Sequence, residues 1–320
     1  RYDYNVHDVR YSPDEKTVAV AHGDSISILS ADDGRILRTI GTRPERFQIE
    51  QVIFAPDGNS IIVRYEEKKL IDEWNVNDGS LRESYLKDYQ NVATIKWLNH
   101  IDISPDGKYL TATYYGGIDK PTLLVVTELK TGKELVHKEA KYYSGVKFSH
   151  NGNHLVAINS SLDPILNPTV EIYNTSDFSV WSGQLGANSS DKMAINAIDF
   201  SYNDSLLALV TTGGGAAYYA IWLLDMKTKQ ITKPISTWDA PDVRRMKFYS
   251  DNQHILTGGG GGLNLRGYST ILPLSPYVFE DSFAIGGGFR GIDCSIKNGN
   301  IVSSSGITVV HYNNKWLLPN

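Results

Sequence analysis

The sequence predicts an all-β fold of seven four-stranded antiparallel sheets, and three observations predict it. First, one skeleton recurs: a short alternating strand, a tight turn, and a second alternating strand. It is clearest in "VRYSPDEKTVAVA" from Val9, "VIFAPDGNSIIV" from Val52 and "IDISPDGKYLTAT" from Ile101. It continues in "VKFSHNGNHLVAI" from Val146, "IDFSYNDSLLALV" from Ile198, "MKFYSDNQHILTG" from Met246 and "IDCSIKNGNIVSS" from Ile292. Second, the residues that end each first strand (Tyr11, Phe54, Ile103, Phe148, Phe200, Phe248 and Cys294) recur every 43 to 52 residues, so seven units fill the 320-residue chain. Third, short apolar blocks such as "IIV" at 61–63 and "LLALV" at 206–210 replace any long 3.6-period pattern. Strands apolar on both sides belong in sheets that are packed on both faces. Radial repetition of such sheets is a seven-bladed β-propeller.

Each element of the unit has a local cause. After the first strand, Pro presets φ at the second turn position, Asp suits the third, and Gly or a substitute closes the turn. Units four to seven lose the Pro but keep Asn, Asp or Gly. The third and fourth strands are joined by tight-turn signals, "ADDG" at 31–34, "NVNDGS" at 75–80 and "LKTGKE" at 129–134. Unit one therefore reads as strands "HDVRY", "TVAVAH", "SISILS" and "RILRTI", and unit seven is completed by "NIVSSS", "ITVVHY" and "KWLLP". One domain over residues 1–320 is expected, closing by packing of the first unit on the seventh.

With these turns and strands in this order, nearly the whole chain resembles the WD-repeat β-propeller family. Trp74-Asn75 and Leu224-Asp225 sit where that family places its Trp-Asp pair. Leu29-Ser30, Thr127-Glu128 and Tyr173-Asn174 fill the same place, and the family's Gly-His pair is missing before each first strand. The family's side-chain hydrogen-bond network is thus mostly absent. The resemblance implies a stiff, non-enzymatic platform for protein–protein interaction, with another protein or another domain of the same chain as partner.

Composition narrows the classes. The chain is 41% hydrophobic and 21% charged, too apolar for disorder, and no apolar run reaches membrane-spanning length. Its start at Arg1 reads as a processed or excised product. With a net charge of −5 and no dense Lys/Arg run, nucleic acid is not an expected partner. Cys294 is the only cysteine, in an apolar anchor slot, so a buried structural thiol is expected. The single cysteine and loose repeats lean toward a bacterial source. No metal or cofactor is expected: His150 and His154 read as turn residues, and no metalloprotease, hydrolase-elbow or EF-hand motif is present. The glycine run 258–262 and "GGGFRG" at 286–291 lack the following helix that a phosphate cradle requires, and read as turns between strands.

Two sets of candidate site residues follow. The residue just before each anchor is Arg10, Ile53, Asp102, Lys147, Asp199, Lys247 and Asp293, so six of the seven are charged and their signs cancel. On innermost strands they predict a belt of paired opposite charges along the channel wall, structural rather than ligand-binding. The long connections supply candidate partner-binding residues: Arg43 in "TRPERFQ", Tyr114 and Tyr115 in "YYGGIDKPT", Leu162, Ile165 and Leu166 in "NSSLDPILNPT", and Trp238 and Arg244 in "STWDAPDVRR". The alternative is a ligand binder or lactonase-like hydrolase at the channel mouth. It would need His7 and His100, read as preceding the first strands, to converge with Asp102, Asp199 and Asp293.

Overall fold

The computed structural model describes residues 5–41, 45–66, 68–117, 120–140, 142–159, 168–185, 193–213, 219–231, 235–236, 243–252, 254–259, 267–273, 281–285, 289–305 and 308–312. Sheet 1 is β1 (Val6–Tyr11), β2 (Thr17–His22), β3 (Ser25–Ser30) and β4 (Ile36–Gly41). Sheet 2 is β5 (Ile49–Phe54), β6 (Ser60–Tyr65), β7 (Ile71–Asn75) and β8 (Leu81–Tyr85). Sheet 3 is β9 (Trp97–Ile103), β10 (Tyr109–Tyr115), β11 (Thr122–Glu128) and β12 (Lys133–Ala140). Sheet 4 is β13 (Tyr143–Phe148), β14 (His154–Asn159), β15 (Thr169–Asn174) and β16 (Val180–Gln184). Sheet 5 is β17 (Met193–Phe200), β18 (Leu206–Gly213), β19 (Tyr219–Asp225) and β20 (Ile235–Ser236). Sheet 6 is β21 (Val243–Phe248), β22 (His254–Gly259), β23 (Gly267–Pro273) and β24 (Asp281–Ile285). Sheet 7 is β25 (Phe289–Cys294), β26 (Ile301–Ser305) and β27 (Thr308–Tyr312). Its expected fourth strand, at 315–319, lies outside the described residues. Among the described residues the only helix is one 3-10 segment, Lys87–Asn91, and none is long and apolar enough to cross a membrane.

All seven first strands end on the anchor residue read from the sequence. The chain forms two compact units. Unit one (Arg1–Glu66, Leu70–Tyr85 and Ala240–Asn320) holds sheets 6, 7, 1 and 2; unit two (Glu67–Lys69 and Leu86–Asp239) holds sheets 3, 4 and 5. In unit one β21, β25, β1 and β5 lie side by side, and in unit two β9, β13 and β17 do. The cores explain the apolar blocks. In β14, Leu155 and Ala157 join a cluster with Leu124 and Val126 of sheet 3, while Val156 and Ile158 join one with Leu207 and Leu209 of sheet 5. Alternate residues of one strand thus fill two different interfaces, and both must be apolar.

The turns repeat a small hydrogen-bond circuit. In sheet 1 the Ser12 hydroxyl donates to Asp14 (2.7 Å) and accepts from the Thr17 N–H (3.0 Å). Ser104 with Asp106 and Tyr109, Ser149 with Asn151 and His154, and Ser201 with Asn203 and Leu206 repeat it. In these four turns the buried serine hydroxyl stitches both arms of the hairpin, while sheets 2 and 6 have Ala55 and Tyr249 at this place. The closing position is left-handed in every turn: Glu15, Gly58, Gly107, Gly152, Asp204, Asn252 and Gly299 all have positive φ.

In four of these turns, at Glu15, Gly58, Gly152 and Asp204, the left-handed residue lies against the turn of the preceding sheet. A Cβ on Gly58 would sit 3.7 Å from Pro13 Cδ, and one on Gly152 would sit 3.5 Å from Pro105 Cδ. Where the residue is acidic, its side chain reaches into the neighbouring turn. Asp204 accepts the N–H groups of His150 (2.8 Å) and Asn151 (2.7 Å). Glu15 accepts the Ser295 hydroxyl and the N–H groups of Ile296 (2.9 Å) and Lys297 (3.2 Å), joining sheet 1 to sheet 7. Some buried polar side chains elsewhere are paired within a sheet or across to the next one. Trp74 Nε1 donates to Tyr65 OH (3.1 Å), which donates to Asp72 (2.9 Å). Glu171 accepts from Tyr173 (2.7 Å) and Lys138 (2.9 Å).

Candidate binding surfaces at the bulged ends of the first strands

Every first strand carries a β-bulge at the same register, four residues before its anchor. The inserted residues are His7, Glu50, Asn99, Ser144, Asn196, Arg244 and Arg290, and all seven are polar. A bulge adds an unpaired residue and re-aims its side chain, which is why bulges gather near binding sites. Some of these residues link neighbouring first strands. His7 Nδ1 lies 3.8 Å from Glu50, and Asn99 Nδ2 donates to the Tyr143 carbonyl at 3.1 Å. The signal was present in the sequence as a polar residue four places before each anchor. It was missed because a bulge resets the alternation used to assign strand faces.

In unit two the bulged end carries aromatic rings. Tyr115 pairs in register with Trp97, with ring centroids 4.8 Å apart, and meets Tyr142 edge-on at 6.0 Å. All three rings are partly exposed. Gly116, just after Tyr115, is closely packed: a Cβ there would fall 2.6 Å from the Pro121 carbonyl and 2.9 Å from that of Thr94. Gly117, at φ +117, has the Lys96 side chain across it. The sequence reading found Tyr115 but not Trp97 or Tyr142, since those two lie 18 and 27 residues from it.

In unit one the same end is charged. Arg64 of β6 pairs with Glu50 at 3.4 Å, and Arg10 pairs with Asp8 at 3.4 Å. Asp8 also accepts the N–H groups of Val9 (3.0 Å) and Val52 (3.2 Å). Burial raises the Asp8 carboxyl above its ordinary value, and the nearby guanidinium groups of Arg10 and Arg245 pull the other way. Burial lowers Arg64, with Glu50 opposing and Arg245 adding to the effect.

The structure places the belt residues as follows. Lys147 approaches Asp199 at 3.3 Å as an ionic contact without hydrogen-bond geometry, and Lys247 approaches Asp293 at 3.7 Å. Asp102 accepts the Phe148 N–H (2.7 Å), and Asp293 accepts the Tyr11 N–H (2.9 Å), in each case across to the next sheet. Arg10 departs from the expected pairing: it turns to Asp8 on its own strand and to the Ile292 carbonyl (3.2 Å).

Several expectations need correction. Tyr114 is fully buried in β10, because the 3-10 segment covers that face and Tyr89 stacks on its ring at 4.9 Å. Arg244 belongs to β21 and not to the connection before it. His7 and His100 lie inside β1 and β9, so neither precedes its strand. Gly258 and Gly259 are paired residues of β22, opposite Ser269 and Tyr268. Gly291 is no turn residue either: it stands in β25, where a Cβ would come 2.6 Å from Val9 N. Arg43, Leu162, Ile165, Leu166 and Trp238 lie outside the described residues. His150 sits in its turn against Asp204 (3.2 Å), while His154 opens β14. Among the described residues no three His, Cys, Asp or Glu side chains are grouped so as to hold a metal.

No family model and no curated protein sequence matches the chain. Solved structures do. Hydrazine synthase from Kuenenia stuttgartiensis is similar over 98% of this chain and 97% of that one, at 14% identity and a TM-score of 0.77. The β-propeller domain of Cps50 (Swd1) from Myceliophteria thermophila is similar over 97% of both chains, at 10% identity and a TM-score of 0.73. The fold is a β-propeller. At these identities the likeness carries architecture alone, so function has to be argued from the surfaces.

Proposed function

We propose that this propeller is a non-enzymatic interaction platform, a divergent relative of the WD-repeat type, that binds another protein or another domain of the same chain. The observation that carries this reading is the Trp97–Tyr115–Tyr142 cluster: three partly exposed rings at strand ends, with Tyr115 in contact with both of the others. Such rings offer large contact area at little conformational cost and are typical interface anchors. The WD-repeat reading is supported by the serine-stitched turns and by Trp74-Asn75 and Leu224-Asp225 at the ends of β7 and β19. The proposal assigns no bond chemistry. The one thiol, Cys294, is buried and pushed up to about 12, far from a nucleophile's range.

Affinity capture with the wild type beside a Trp97→Ala, Tyr115→Ala double variant tests it. Proteins held by the wild type should be lost from the variant while its circular dichroism is unchanged. Equal recovery by a folded variant would exclude this surface.

A further inference from the structure

We propose that the bulged end of unit two binds an acidic segment of a partner protein, with Trp97, Tyr115 and Tyr142 holding an aromatic side chain of that segment and Lys96 and Lys120 its carboxylates. The inference rests on the reading of this cluster as a protein-binding surface and adds the chemistry of the partner. Three short stretches of chain build the surface. Lys96 stands just before β9, and its N–H donates to the Tyr115 carbonyl (2.8 Å), which sets Lys96 and Trp97 beside the end of β10. The loop that leaves Tyr115 brings in the second lysine, whose N–H donates to the Gly117 carbonyl (3.3 Å). Both lysine side chains lie against its glycines: Lys96 Nζ is 3.2 Å from where a Cβ on Gly117 would stand, and Lys120 Cβ is 2.7 Å from where one on Gly116 would. The third stretch supplies Tyr142, just before β13.

Charge and hydrogen bonding set the partner class. Lys96 and Lys120 are exposed, and among the described residues neither has an ion-pair partner. Lys16, Lys108 and Lys138, by contrast, are paired with Asp14, Asp106 and Glu171. Among the described residues Trp97 Nε1 and the Tyr115 and Tyr142 hydroxyls also have no hydrogen-bond partner. All five polar tips can donate, and two are cations in a chain whose net charge is −5. Carboxylates match such a surface in both charge and hydrogen bonding. The rings meet at interplanar angles of 36° and 82°, tilted and edge-on arrangements that a further aromatic ring can extend. Two cations are too few for a nucleic-acid backbone, which needs many phosphate contacts.

The test is fluorescence anisotropy of the full chain with fluorescein-labelled peptides EEYEE, QQYQQ and KKYKK and with a labelled oligothymidylate. The variants are Lys96→Ala with Lys120→Ala, Trp97→Ala with Tyr115→Ala and, as a control, Lys130→Ala with Lys133→Ala. The control removes the same charge at the opposite end of sheet 3, where both residues are exposed. Saturable binding of EEYEE is expected, weakening as salt rises. Loss of Lys96 and Lys120 should weaken it about 3- to 30-fold, as two exposed charge contacts would. Loss of the two rings should abolish it, and the control should bind like wild type. Equal binding of EEYEE and QQYQQ, or full affinity without Lys96 and Lys120 where the ring variant fails, overturns the acidic partner but leaves the cluster a protein-binding surface. No saturable binding of any peptide also overturns the proposal, while the affinity capture judges the surface itself. Tighter binding of the oligothymidylate or of KKYKK than of EEYEE, or an equal loss in the control, overturns it as well.

Discussion

Asp204 offers the sharpest test of the interlock between neighbouring turns. It stands at φ 54 in the left-handed region and is buried at the end of its turn. Its carboxylate accepts the N–H groups of His150 and Asn151 at 2.8 and 2.7 Å and faces His150 Nδ1 at 3.2 Å. Replacement by glycine has two opposed consequences. Freeing the left-handed backbone stabilises by about 1 kcal/mol. Removing two hydrogen bonds to an ionised acceptor costs about 1.5–3 kcal/mol each, part of which water returns because the donors lie at a turn surface. Loss should win, leaving Asp204→Gly about 1–3 kcal/mol less stable than wild type. Asp204→Ala loses the same bonds and keeps the left-handed cost, so it should fall about 1 kcal/mol lower still. An unfolding entropy of about 2.1 cal/mol/K per residue makes 1 kcal/mol worth roughly 1.5 °C in a chain this long. Calorimetric melting should therefore place the glycine variant about 2–4 °C below wild type, with alanine below glycine. Hydrogen exchange should quicken in the peptide spanning 149–153. A glycine variant as stable as wild type, or alanine equal to glycine, would refute the reasoning.

Cys294 should resist Ellman's reagent in the native protein and react on unfolding, because burial keeps the thiol protonated up to about 12; prompt native labelling would contradict this. Asp8, raised by burial, binds its proton more tightly folded than unfolded, so the wild type loses stability as pH climbs from its ordinary 3.8 through the raised value. Asp8→Asn escapes that loss, so its melting temperature relative to wild type should rise between pH 4 and pH 7; a fall would show that pairing with Arg10 outweighs burial. Gly291→Ala forces a methyl against the backbone of Val9 and Asp8 and should cost about 1–3 kcal/mol in urea unfolding, and an unchanged midpoint would remove the close-packing account.

Much of the fold could be read from the chain because its causes are local. Pro-Asp-Gly turns, their Asn-Gly substitutes and the alternating strands around them involve residues a few positions apart. That is why all seven anchors, from Tyr11 to Cys294, end the strands they were expected to end. The candidate sites were less legible. Tyr114 and Tyr115 are adjacent and chemically alike, yet one is sealed beneath Tyr89 and the other joins Trp97 and Tyr142. Alternation shows that two neighbours point opposite ways but not which face another segment covers. The bulges hid a periodic polar position for a related reason, since each shifts the phase of its own strand.

The sequence by itself determined the recurring order of the strands, the residue that ends each of the seven first strands, the left-handed turn positions and the apolar requirement on both faces of the inner strands. Tertiary structure alone decided which side chains meet. Asp204 finds His150 across 54 positions of chain, and Asp102 finds the Phe148 N–H across 46. Such pairings depend on how one twisted sheet is set against the next, a relation that arises from packing between whole sheets and is encoded in no short stretch of residues.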